Sequence, residues 1–115
     1  MPASIASENT TTPTLATDTT LVTQAGPTGG GCYVLHVDAV NLANGETLTL
    51  TLRTRARPGG TTRTAFSAPY QHTQSDPVKI SPLIAVPSGS ELIAVLRQDG
   101  GTARAFPWAL IRIDA

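Results

Sequence analysis

The sequence predicts an all-β domain, an antiparallel β-sandwich or jelly-roll-like fold of about 7–8 short strands with an extended N-terminal arm. Three observations carry that prediction. Leu48, Leu50 and Leu52 alternate with Thr47, Thr49 and Thr51, a period of two that turns one side of a strand to a dry core and the other outward. Glycine- and proline-containing turn signals separate short apolar runs along the chain. No stretch carries the apolar periodicity of a helix.

Residues 1–13 are mostly Ala, Ser, Thr, Asn and Pro, with Glu8 the one charged side chain, and hold too little apolar surface to repay ordering alone. Thr10, Thr11 and Thr12 are β-branched and favour extended backbone. The segment is therefore expected as a flexible or extended arm, suited to lie as an added strand on another subunit, ahead of a β-sandwich domain at 14–115. Thr14–Gln24 reads as the first strand of that domain, ended by Gly26-Pro27-Thr28-Gly29-Gly30-Gly31. Cys32–Val40 reads as the second, with Tyr33, Leu35, Val37 and Ala39 inward and Val34, His36 and Asp38 on the other face. Asn44-Gly45 supplies a turn with positive φ before the strand Glu46–Arg55.

Pro58-Gly59-Gly60 turns the chain into a shorter strand, Thr61–Ala68, and Pro69–Asp76 reads as irregular. Val78–Ile80 and Leu83–Val86 are short apolar runs among Pro77, Pro82 and Pro87, whose missing ladder donors suit edges and corners. Glu91–Arg97 is apolar on both faces and so is expected at the centre of a sheet. Asp99-Gly100-Gly101 signals a hairpin, and Thr102–Ile113 closes the fold, with Pro107 arguing for an edge or a bulge.

A chain of 115 residues has room for one domain and one modest core, which leads us to expect that neighbouring copies complete the fold as a homo-oligomer. Eight basic and eight acidic side chains cancel, without the basic surplus of a nucleic-acid binder. A single cysteine, Cys32, allows neither an internal disulfide nor a cysteine-based zinc site, and is expected as a small buried hydrophobe. No apolar run approaches the ~20 residues of a membrane span, and the N-terminus lacks a signal peptide's basic and apolar regions. The expectation is a protein made in the cytoplasm, with no membrane partner.

Catalytic patterns are sparse, and the expectation is a non-enzyme without cofactor or metal. The two histidines, His36 and His72, fall short of a metal site with an open position. No Gly-x-Ser-x-Gly elbow occurs, and Gly29-Gly30-Gly31 lacks the Lys-Ser/Thr of a phosphate loop. Arg53, Arg55, Arg57 and Arg63 form a cluster that reads either as a solvated strand end or as a contact for carboxylates of a protein partner. Single-stranded nucleic acid would need more stacking surface than Phe66 and Tyr70 offer. Phe106 and Trp108 share one face with Arg104, and Trp108 reads as core or as an interface anchor. The candidate partner-contact residues are thus Thr10, Thr11, Thr12, Arg53, Arg55, Arg57, Tyr70, His72 and Trp108.

Three groups of residues also resemble a family of small tailed-phage structural proteins, the capsid decoration or cement proteins. They are Gly31–Asp38 with Asn41–Gly45; Tyr70-Gln71-His72 with Val78–Ser81; and Gly100–Trp108. The likeness runs from about Leu15 onward and consists of strand and turn patterns more than a chemical motif. It implies β-rich subunits, trimeric by preference, on the outer capsid surface of a virion assembled in the host cytoplasm. There they would clamp adjacent copies of the major capsid protein. It carries over no catalytic residue, and the neutral net charge departs from a docking driven by electrostatics. The alternative is a tail-associated or receptor- or carbohydrate-binding sandwich, for which Tyr70, Gln71, His72 and Asp76 are the compact candidate set.

Overall fold

The computed structural model describes residues 3–113. These form nine strands: β1 (Ala3–Thr11), β2 (Thr19–Ala25), β3 (Gly31–Asp38), β4 (Thr47–Arg55), β5 (Thr62–Gln71), β6 (Val78–Ile80), β7 (Ile84–Val86), β8 (Glu91–Asp99) and β9 (Phe106–Ile113). All their ladders are antiparallel. One sheet runs β1-β9-β3-β6, with β7 also on β3, and the other runs β2-β8-β4-β5.

The strands β6 and β7 share one edge of β3, the first on His36–Asp38 and the second on Gly31–Tyr33. They are two halves of a single strand position broken at Ser81-Pro82-Leu83, where proline cannot donate to a ladder. Ser81 fills the gap: its N–H donates to the Leu35 carbonyl at 2.9 Å, and its Oγ accepts the Leu35 N–H at 2.9 Å. Counted as eight strand positions, the two sheets have the order of a jelly roll, in which the β4–β5 hairpin stays within one sheet and the chain otherwise passes between sheets.

The core follows from strand parity. Tyr33, Leu35 and Val37 of β3, Leu48, Leu50 and Leu52 of β4, Leu92, Ala94 and Leu96 of β8, and Phe106, Trp108 and Leu110 of β9 are at most 6% exposed. Each set recurs at every second residue, so each strand turns one face to the space between the sheets. The inward residues expected for Cys32–Val40 and Glu46–Arg55 are confirmed, and the central position expected for Glu91–Arg97 is that of β8 between β2 and β4. Gly45, at φ 86°, makes the tight entry into β4.

Several expectations are corrected. The N-terminal segment is extended, but Ala3–Thr11 is an edge strand of this chain's own sheet, paired with β9 from Ala3↔Ile113 to Thr11↔Phe106. It is therefore continuous with the sandwich rather than an arm ahead of it. Residues 14–18 turn the chain before β2 starts at Thr19, and β5 extends through Pro69 to Gln71, which an edge strand tolerates. Pro107 lies in a central strand, not at an edge. The ladder between β9 and β3 ends at Trp108, so a missing donor at 107 leaves that ladder intact. Cys32 is half-buried rather than core, because its parity opposes that of Tyr33.

Candidate functional site

A buried polar cluster closes one end of the sandwich. Glu46 continues the inward parity of Leu48 and Leu50, Gln98 that of Ala94 and Leu96, and Arg104 that of Phe106 and Trp108. The Glu46 side chain is buried, with the residue 2% exposed. Its carboxylate accepts hydrogen bonds from the Ala43 N–H at 3.0 Å and the Thr102 N–H at 3.4 Å, and from Arg104 Nε at 3.2 Å and Nη2 at 3.0 Å. Gln98, fully buried, donates to the carbonyls of Gly100 (3.2 Å) and Thr102 (2.7 Å) and accepts the Arg104 N–H at 2.9 Å. The Arg104 guanidinium and the Ala43 N–H hold the Glu46 carboxyl below its ordinary range. With its acceptor sites taken up in this way the carboxylate is a tether between loops, not a base waiting for a substrate.

The structure places the sequence-predicted residues in three separate regions. Thr10 is exposed in β1 opposite Pro107, and Thr12 is exposed just beyond the strand. Thr11 is half-buried, and its Oγ1 accepts the Trp108 Nε1–H at 2.9 Å. Trp108 itself is 6% exposed and belongs to the core, the first of the two readings its sequence position allows. Tyr70 packs against the core at the other edge of the sandwich, and the Lys79 ammonium lies 4.9 Å from its ring centroid, joining β5 to β6. His72 is exposed with φ 65°; its Nδ1 accepts the Gly45 N–H at 2.9 Å and its N–H donates to the Glu46 carbonyl at 2.9 Å. His72 thus braces the loop that carries Glu46.

The arginine cluster is divided. Arg53 turns to the outside of the second sheet and meets Asp18 at 3.2 Å. Arg55 pairs with Glu91 at 3.0 Å, and its Nε donates to Thr62 Oγ1 at 3.3 Å. Together with Arg57 and Arg63 it lines an open concavity of about 560 Å³ at the tip of the β4–β5 hairpin.

The outer faces of the two sheets differ in chemistry. On the β2-β8-β4-β5 sheet the outward residues include Thr47, Thr49 and Thr51 with Arg97 and Asp99, and ion pairs link Arg97 to Asp99 at 3.2 Å and Arg97 to Asp18 at 3.8 Å. On the other sheet, residues paired across strands share a face, and these are largely apolar. Ile5, Ile111 and Val34 form one row; Ala109, His36 and Ile80 form another, with Glu8 at its β1 end. Ile113 pairs with Cys32, Pro107 with Thr10, and Val78 with Asp38. Ile5 (55%), Val78 (54%) and Ile80 (57%) are more than half exposed. A depression of about 220 Å³ lies in this face, lined by His36, Asp38, Val78, Pro107, Trp108 and Ala109 among others.

Reading along the sequence does not single out this face. Parity marks Val34 and Ile111 as outward, but in Val78-Lys79-Ile80 alternation by itself would turn the two aliphatic residues inward, and only the strand order brings all four together on one outer face.

Among the described residues no group of three or more His, Cys, Asp or Glu side chains could hold a metal ion, and no helix is long and apolar enough to cross a membrane. No family model matches the chain, and comparison with curated proteins and with solved structures finds no match.

Proposed function

We propose that the protein is a structural component of a tailed-phage virion, a capsid decoration protein that lies with its β1-β9-β3-β6 sheet against the major capsid protein. The observation that supports this reading is the apolar outer face of that sheet, which contrasts with the threonine- and ion-pair-rich face behind it. Contiguous apolar surface of this kind marks contact sites, because exposing it to water is costly. Four strands ~4.8 Å apart and about eight residues long, at ~3.3 Å per residue, present roughly 500 Å² of flat area. Side-chain relief and the rim bring that toward the ~800 Å² that each partner contributes to a standard interface. The 220 Å³ depression provides a place for one anchoring side chain of the partner. Trimerisation of the docked copies would convert modest single contacts into avidity on a repeating shell.

Sugar recognition fits the geometry less well. The Tyr70 ring is packed on the core and carries Lys79, and Gln74 Nε2 donates to the carbonyls of Gln71 and His72, folding that loop onto itself.

The test is electron cryomicroscopy of purified virions together with immunogold labelling of this protein. Copies at regular positions on the head, sheet face inward, are expected. Labelling confined to the tail, or none on the particle, would reject the assignment.

A further inference from the structure

Among the ion pairs, Arg53 and Arg97 meet Asp18, Arg97 also meets Asp99, Arg55 meets Glu91 and Arg104 meets Glu46. The side chains of Arg57 and Arg63, both exposed, have no such partner among the described residues. They flank the turn at the tip of the β4–β5 hairpin, where Gly59 adopts φ 77° and the Gly60 N–H donates to the Arg57 carbonyl at 3.0 Å. Register places Arg63 opposite Thr54 and Arg55 opposite Thr62. All three arginines border the same 560 Å³ concavity, with Ala56, Ala65, Thr61 and Thr64. Glu91 neutralises Arg55, which leaves two uncompensated guanidinium charges at one end of a chain with no net charge.

We propose that this hairpin tip is a binding site for an acidic segment of a partner protein, with a carboxylate side chain held by Arg57 and Arg63. Guanidinium groups present paired donors that match the two oxygens of a carboxylate. Arg55 is held by Glu91 and Thr62, on the opposite face of the hairpin from Arg63, and so takes no part in holding the carboxylate. The alanine and threonine methyl groups between the arginines suit the aliphatic side chains of a peptide. Two free charges at a hairpin tip, in place of a basic stripe, favour a short acidic segment over a sulfated or phosphated polymer. The site lies at the end of the other sheet from the proposed capsid-facing surface and stands independently of that reading.

The test is an NMR titration of the intact protein with a capped hexapeptide alternating Asp and Leu. Saturable shifts are expected at the Gly59 and Gly60 amides and at the Nε–H groups of Arg57 and Arg63. The double variant Arg57→Gln/Arg63→Gln should bind at least ~10-fold more weakly. Arg53→Gln, outside the concavity, should bind as the parent does. The Asn/Leu peptide of the same length should not bind. Both substituted arginines are exposed, so the variant's amide spectrum away from the hairpin should match the parent's and show that it is folded. Absence of saturable shifts, or equal binding by the double variant, would overturn the site. Saturable binding of a heparin-derived oligosaccharide or of inorganic phosphate at these residues, without binding of the acidic peptide, would overturn the assignment to a protein partner.

Discussion

Replacing Val78 and Ile80 together by serine tests the apolar sheet face most directly. Fully burying an aliphatic side chain of this size is worth about 1.5–3 kcal/mol. In the free protein Val78 is 54% and Ile80 57% exposed, so a little over half of that gain is left for a partner to realise. The two serines should thus weaken docking by about 2.5 kcal/mol, roughly 70-fold in affinity. Folding should change little, because the removed groups are mostly in water already and sit on a short edge strand. The assay is co-sedimentation of labelled protein with heads that lack it, alongside urea unfolding of the same samples. Thr49→Val, on the opposite outer face, serves as the control and should leave docking unchanged. Unaltered affinity of the double variant at unaltered stability would refute the assignment of this face, and a matching loss from Thr49→Val would move the contact to the other sheet.

Leu50→Ala empties a position that is 1% exposed between the sheets and should cost about 2–5 kcal/mol, read as a lower urea midpoint with the slope unchanged. Because the Glu46 carboxyl is held below its ordinary value of 4.5 in the folded state, its tether stabilises the fold above that pH. The contribution should be lost as pH falls through the lowered folded value, and Glu46→Gln should flatten that part of the stability–pH curve. Gly101→Ala should destabilise through two routes, since Gly101 has φ 66° and a Cβ there would run into the Glu46 carboxylate; a lower urea midpoint than the parent's checks this. Deleting the first eleven residues removes β1 and the Thr11 acceptor of the Trp108 indole, so emission from this single tryptophan should shift to the red. Unshifted emission would mean that β1 does not cover Trp108 in solution.

The buried polar cluster is partly legible along the chain, unlike the apolar outer face. Glu46 continues the plain alternation of Leu48, Leu50 and Leu52, and Arg104 shares a face with Phe106 and Trp108, whereas Gln98 follows a run that is apolar on both faces and offers no parity to extend. What parity does not reveal is that they meet, since β4 and β8 are neighbours in one sheet while β9 belongs to the other. Trp108 stays between core and interface at the level of sequence for a related reason. Its inward parity is visible, but the acceptor for its indole N–H is Thr11, 97 residues away.

The amino-acid sequence by itself determined the all-β class, the inward residues of β3 and β4, the central place of β8, and the turns at Gly45 and Gly59. These are local properties, set by alternation within one strand and by the backbone freedom of glycine. Only the tertiary structure decided that Ala3–Thr11 completes a sheet, that β6 and β7 share one strand position, and that outward aliphatic residues of β1, β3, β6 and β9 join in a single face. Each of these depends on which distant strands pair. Backbone hydrogen bonds are alike at every residue, so pairing is selected by the packing of the whole sandwich and not by any one segment.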